Sequence, residues 1–334
     1  MNEFINKYDW QMTSQIFLII GIVVSIVFHK RFKKYDEALV SLPFCFCLGI
    51  SIFNSDNLIA FIFFSEIIFN LSNILFRNRF KQYDNKFFEN VRYVFWVILL
   101  FCYYYSFNTF TFNAVPKNTG LELTFIVVLL LSIVFIKIIY FFLRSDHIKE
   151  SINEVVGYEI FTVFVFSLKS IHISSGLMDS ILPRHHGVID VLILLYIVLG
   201  SVLCIKFYKS ESIEKLKSMI RGLVIISLFP LLVIGENVFW EDYIAFSVLL
   251  VTTLLFFDLV VSFAKSGRFK SLLVFVLLCL LSGVSPFGHL FKIFKSLVDN
   301  GSQELFFLGI TISTLTLALI SKKLFMLCLN EREA

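Results

Sequence analysis

The sequence predicts an all-α, polytopic transmembrane helix bundle of about eleven spans, built as one domain over residues 1–334. Three observations predict it. Hydrophobic residues make up 58% of the chain and charged residues only 16%, against roughly 25% charged in an average soluble chain. With a mean hydropathy of +0.85, a water-exposed bundle or sheet lacks the polar surface to cover its core. A disordered chain is excluded because apolar residues dominate throughout. Apolar runs then recur at close to the length of about 20 residues that a helix needs to cross hydrocarbon. Finally, the basic residues gather in alternate loops.

Breaking the chain at its polar clusters gives eleven apolar segments, near 13–28, 37–53, 57–76, 93–113, 121–143, 157–177, 187–206, 219–236, 241–263, 271–297 and 304–321. The first dozen residues, MNEFINKYDWQM, carry neither an Arg-rich amphipathic pattern nor a basic signal-peptide start. The run Ile16 to Phe28 therefore reads as an uncleaved anchor, an extra N-terminal helix ahead of the remaining spans. Only Asn54, Ser55, Asp56 and Asn57 separate the second and third segments, which predicts a tight turn. No repeat, low-complexity tract or soluble domain interrupts the series.

Orientation follows from the loops. Odd-numbered segments are followed by Lys30, Arg31, Lys33 and Lys34; by Arg77, Arg79, Lys81, Lys86 and Arg92; by Arg144 and Lys149; by Lys206, Lys209, Lys215, Lys217 and Arg221; by Lys265, Arg268 and Lys270; and by Lys322, Lys323 and Arg332. These are 22 of the 29 basic residues. The positive-inside rule then places the N-terminus outside and the C-terminus inside. The net charge of +4 is thus a topology signal and a contact with lipid headgroups, with no bearing on nucleic acid.

The tenth segment, LLSGVSPFGHLFKIF, is interrupted by Gly283, Pro286 and Gly288. Proline removes a backbone donor and clashes with the preceding turn. Broken helices at membrane depth are tolerated where they line a polar cavity, and transporters build ion sites from them. A plain proline kink is the simpler reading. His289 and Lys292 follow directly.

Five ionisable residues lie inside apolar segments: Glu66, Lys137, Lys169, Asp258 and Lys292. Each costs about 2.5–3.5 kcal/mol at the bilayer centre, even on the lenient insertion scale. Such residues usually face a protein interior, pair with an opposite charge and mark an ion or proton path. The competing reading for Lys137 is snorkelling toward the membrane surface near Arg144, and for Asp258 a polar packing contact. Of the six cysteines, Cys45, Cys47, Cys102, Cys204, Cys279 and Cys328, none forms a C-x-x-C pair. They read as small hydrophobes, without disulfide or metal. His172, His185 and His186 show no metal spacing, and no glycine-rich phosphate loop, nucleophile elbow or haem pair is present, so no cofactor is expected in this chain. The 42 phenylalanines beside 14 glycines and 5 prolines suggest AT-rich codons and an organelle gene, a hypothesis that a GC-rich third codon position would sink.

The broken stretch G-V-S-P-F-G-H-L-F-K, with its mid-membrane lysines and glutamate, resembles the antiporter-like subunits of respiratory complex I, nearest the chain 2 family of NADH:ubiquinone oxidoreductase. Ser285 and Pro286 stand where that family has a double proline, Gly288 its glycine and Lys292 its lysine. SIEKLKSMIRGLVIIS is similar to the family's stretch of the type N-x-x-x-L-R-K-I-L-A-Y-S-S-I, and S-E-I-I-F-N, with Glu66, to its L-E-x-N helix. The order Glu66, Lys137, Lys169 looks like the family's glutamate, channel lysine and connecting lysine. The family's K-x-x-x-x-P-F-H is absent after Lys137, where the chain reads KIIYFFLR. A second register would set Lys169, followed by His172 and Pro183, at the channel position. The resemblance covers about residues 37–325.

It implies an antiporter-like bundle and a proton-translocating membrane-arm subunit of complex I, in the mitochondrial inner membrane. Protons would move through a relay of Glu66, Lys137, Lys169 and Lys292, with Glu66 and Lys137 coupled through their charges. The enzyme would be the assembled NADH:ubiquinone reductase, with no redox site in this chain. Its partners would be the other membrane-arm subunits and lipids. A stand-alone cation/proton antiporter and a structural multi-pass subunit of another respiratory complex are the rival readings.

Overall fold

The computed structural model describes residues 49, 51–52, 55–76, 86–112, 114, 116, 121–144, 166–167, 169–174, 176–178, 180–181, 183–208, 213–226, 272–277 and 304–330. Among them the architecture is all-helical: α1 (Leu58–Phe76), α2 (Lys86–Phe107), α3 (Leu121–Arg144), α4 (Pro183–Phe207), α5 (Ile213–Ile226) and α6 (Glu304–Asn330). Helical residues also lie between 166 and 178 and at 272–277. Lys292, Asp258, the broken stretch around Pro286 and the expected N-terminal span 13–28 lie outside the described residues, as does nearly all of 37–53.

Among the described residues, three helices are long and apolar enough to cross a membrane, through Phe87–Phe107, Leu121–Tyr140 and His186–Lys206. The last two fall on the expected spans at 121–143 and 187–206, and the first overlaps the one expected at 93–113. Their burial ranks them. In α3, 67% of the span is buried, against 22% for α2, so α3 is the most enclosed of the three. Its buried residues include Leu123, Ile126, Val127, Leu130, Leu131, Val134 and Ile138. In α4, Ile189, Ile193, Tyr196, Ile197 and Cys204 face inward, while Val188, Val191, Leu195, Val202 and Ile205 are exposed. Both faces are apolar. Water is a poor solvent for that outer face and lipid a good one.

α1 and α2 form an antiparallel hairpin. Asn57 accepts the Ala60 N–H at 2.8 Å on Oδ1 and so caps α1. The chain leaving α2 returns to this cap: the Leu58 N–H donates to the Phe110 carbonyl at 2.8 Å, and the Phe112 N–H to the Asp56 carbonyl at 3.0 Å. The result is an isolated antiparallel bridge between Asn57 and Thr111. Ser55, Asp56 and Asn57 are non-helical, as the expected tight turn requires. The turn before α1 and the loop after α2 therefore share one end of the hairpin, in keeping with the alternation of loops.

Helix limits differ from the expected ones: α4 begins at Pro183 instead of 187, proline suiting a first turn whose N–H has no helical partner, and three further limits differ for their own physical reasons. α2 runs from Lys86 to Phe107 instead of 93–113. It stops because Asn108 adopts a left-handed φ of 55° and its N–H closes on the Tyr104 carbonyl at 2.7 Å, a C-terminal cap that asparagine tolerates. α5 starts at Ile213, inside the stretch expected as a basic loop. Leu216, Met219, Ile220 and Leu223 make a buried stripe at helical spacing there. α6 continues past 321 to Asn330, carrying Lys323 into contact with the end of α4. The Lys323 ammonium donates to the Tyr208 carbonyl and lies 4.8 Å from the Tyr208 ring.

α6 packs against α4 and α5, α2 against α3, and α3 against α4 and α5. Between α3 and α4, Phe135 stacks on Tyr196 at 4.2 Å. The Ser132 hydroxyl donates to the Val128 carbonyl at 2.6 Å, so the 2.6 Å contact between Ser132 and Tyr196 has Tyr196 as its donor.

Candidate functional site

The site forms where α1, α2, α3 and the helical residues around 166–170 meet. Glu66 is the only acidic residue of α1, in the run FIFFSEIIFN. Its carboxylate is held from α2. Arg92 Nη2 donates to Oε2 at 2.8 Å, and Trp96 Nε1 donates to Oε1 at 2.7 Å. Arg92 and Trp96 are four residues apart, hence on one helix face. Arg92 Nε also lies 2.8 Å from Oε1, an ion contact whose angle falls outside hydrogen-bond range. The Arg92 side chain is 3% exposed and that of Glu66 16%, so this is a largely desolvated pair. Removing either partner of such a pair strands the other.

Arg92, expected in the loop after the third span, is a residue of α2. That assignment is corrected: the first turns of α2 begin seven residues earlier than the apolar run, and Arg92 turns inward. Its tally for the inside face falls by one. The signal was available in the spacing Arg92–Trp96 on a helix that must answer a buried Glu66, but a composition-based boundary at 93 cut it off.

Lys137 on α3 is 5% exposed. It points inward instead of snorkelling. Its ammonium sits 3.5 Å from the Phe69 ring centroid, and the Arg92 guanidinium carbon lies 5.4 Å from the same ring. Both are cation–π distances. Phe69 is one turn from Glu66 on α1. Arg92 and Lys137 thus share the Phe69 ring, one turn along α1 from the Glu66 carboxylate that Arg92 and Trp96 hold.

Lys169 stands apart from this cluster. It is 6% exposed, its ammonium lies 5.5 Å from the Phe112 ring, and an attraction links it to Asp56. It belongs to the end of the hairpin that carries the Asn57–Thr111 bridge. His172 is one turn further along and feels the charge of Lys169.

Aromatic rings from α1 and α2 pack against Phe166. Phe166, fully buried, stacks on Phe61 at 5.4 Å and meets Phe69 edge-on at 5.2 Å and Trp96 at 5.9 Å. Phe61 in turn meets Trp96 at 6.1 Å and Phe112 at 6.4 Å.

A further buried acid was not expected from the sequence. Asp190 on α4 is 4% exposed, and among the described residues its Oδ1 has no hydrogen-bond partner. It hid within the apolar segment 187–206. His186, one turn earlier, contacts the Ile181 carbonyl at 3.2 Å and attracts Asp190 electrostatically. Among the described residues no three His, Cys, Asp or Glu side chains group as metal ligands, and Cys102 and Cys204 are free thiols.

Comparison with protein-family models, with characterised proteins and with solved structures returned no match.

Proposed function

We propose that this chain is a proton-translocating, antiporter-like subunit of the membrane arm of respiratory complex I, with about eleven spans, in the mitochondrial inner membrane. The N-terminus would lie outside and the C-terminus inside. The observation that carries this reading is the desolvated Glu66–Arg92 pair set one phenylalanine away from the buried Lys137. Charges at that depth are expensive and are retained where they act on a proton or an ion. The resemblance around Lys292 supports the same reading.

The arrangement suggests how the relay works. Arg92 stays protonated at any accessible pH, so it serves as a fixed counter-charge and not as a carrier. While the carboxylate rests on Arg92, the Lys137 ammonium lies over the Phe69 ring at 3.5 Å and near the Tyr140 ring at 5.8 Å. A swing of the carboxylate toward Lys137 tightens that lysine's hold on its proton, and its return loosens it. Lys169 takes the next position, and Lys292 a later one. NADH oxidation and quinone reduction happen in partner subunits, and this chain supplies the path.

The test is Lys137→Met in the assembled complex, reconstituted into vesicles. Methionine keeps apolar length and removes the charge. NADH-driven proton uptake should fall strongly while the complex assembles at its normal size. Lys137→Arg should also pump poorly, because guanidinium does not give up its proton. Full pumping by Lys137→Arg sinks the relay role, and proton exchange by the isolated chain without NADH would favour an antiporter.

A further inference from the structure

The two buried lysines sit at different depths. Phe69, which the Lys137 ammonium overlies at 3.5 Å, comes eleven residues after Leu58, the first residue of α1. At about 1.5 Å per residue that is roughly 16 Å along the helix, half of a hydrocarbon layer about 30 Å thick. Lys169 belongs instead to the level where α1 begins. Its ammonium lies 5.5 Å from the Phe112 ring, and the Phe112 N–H donates to the Asp56 carbonyl at 3.0 Å, two residues ahead of α1. Lys169 is 6% exposed, whereas Asp56 beside it is open to the surface, and the two attract. His172 is the other ionisable neighbour that feels this lysine. The same end carries the marks of a membrane surface. Tyr104 and Tyr105, in the last turn of α2, are 52% and 66% exposed, and Tyr104 stacks on Phe110 at 5.3 Å. Tyrosines gather where hydrocarbon meets water. Asn108 and Thr111 are exposed beside them.

We propose that Lys169 and Asp56 form an outward-facing proton port, at which a proton that has reached Lys169 leaves for the outer water without passing on to Lys292. The inference rests on the proton-carrying reading of Glu66 and Lys137, and on the basic-loop rule that sets this end of the hairpin outside. The step is a simple transfer. One N–H bond of the ammonium breaks and its electron pair stays on nitrogen. The Asp56 carboxylate takes the proton, directly or through water, and gives it up to the solvent that the side chain already meets. Lys169 is then a neutral amine, ready for the next proton from the membrane interior. The difference in depth gives the relay its direction: Lys137 loads near mid-membrane, and Lys169 delivers at the surface.

Two measurements on the full chain in its native complex test the port. The first is access. In vesicles that keep the native outer face outward, a membrane-impermeant cationic thiol reagent should label Lys169→Cys several-fold faster than Lys137→Cys, each read over the unaltered chain. Equal rates overturn the port. The second is pumping in reconstituted vesicles. Asp56→Asn keeps the size of the side chain and the backbone carbonyl that holds Phe112, and should cut NADH-driven proton uptake several-fold. Asp56→Glu restores a carboxylate and should recover most of it. Full pumping by Asp56→Asn overturns the port even where Lys169→Cys is labelled, because a lysine that only snorkels toward the surface gives that pair of results. A Glu variant as poor as the Asn variant removes the carboxylate's role and overturns it too. Lys137→Met, read in the same vesicles, separates the port from the reading beneath it. Lost pumping there beside full pumping by Asp56→Asn strikes the port alone, and full pumping by both variants strikes the proton-carrying reading.

Discussion

Arg92 shows what a single residue costs and does inside this bundle. Its guanidinium meets Glu66 through two contacts of 2.8 Å in a setting where both charges have lost most of their water. Breaking one side of such a pair costs about 3–5 kcal/mol, whereas replacing both sides by apolar groups of similar volume is often neutral. Arg92→Met alone should therefore lower the melting temperature and the yield of the detergent-solubilised chain sharply. The double variant Arg92→Met with Glu66→Met should recover most of the stability while proton uptake stays low. A double variant as unstable as the single one would show that Arg92 acts through packing on Phe69 and Tyr93 and not through the pair. The sequence exposed Glu66 and Lys137 because both interrupt long apolar runs. It did not expose Arg92 or Trp96, because a basic residue near a segment boundary looks like a loop residue until the helix is known to begin at Lys86.

At the scale of elements, the contact between α4 and α5 depends on Gly200. A β-carbon built there meets Ile226 Cδ1 at 2.5 Å. Small residues let helices approach closely in membranes, where packing rather than the hydrophobic effect holds helices together. Because the obstructing atom is the mobile end of an isoleucine, Gly200→Ala should be accommodated by a rotamer change and cost under about 1 kcal/mol. Gly200→Leu has no such escape and should cost about 1–3 kcal/mol by overpacking. Thermal unfolding of the purified chain in detergent would show the difference, and equal melting points for the two variants would mean that the helices separate freely. Element ends were the least legible feature of the sequence. α2 ends where Asn108 turns left-handed, α5 begins where an amphipathic stripe starts within a basic run, and α6 runs on because Lys323 finds the carbonyl of Tyr208. Each end is decided by a partner elsewhere in the molecule or by local hydrogen bonding, which hydropathy does not record.

For the whole molecule, the alternation of basic loops predicts that the stretch around Lys209 and the C-terminal NEREA lie on the inside face. A membrane-impermeant thiol reagent applied from outside to intact vesicles should leave Lys209→Cys and Glu333→Cys unlabelled, and should label both once the vesicles are opened. Labelling of both before opening reverses the orientation, and labelling of one alone breaks the helix count. The sequence by itself determined the class of protein, because composition and the length of apolar runs depend only on transfer from water to hydrocarbon, a property additive over residues. It also marked Glu66, Lys137 and Lys169 as out of place, for the same reason, though it left Asp190 unmarked. Only the tertiary structure decided whom they meet. Glu66 found Arg92 and Trp96 across the α1–α2 hairpin, Lys137 settled on Phe69, and Lys169 went to the end marked by Asp56 and Phe112. Such pairings follow from the angle and rotation at which helices pack, and those are set by the shapes of facing side chains across the bundle, information that no single stretch of chain contains.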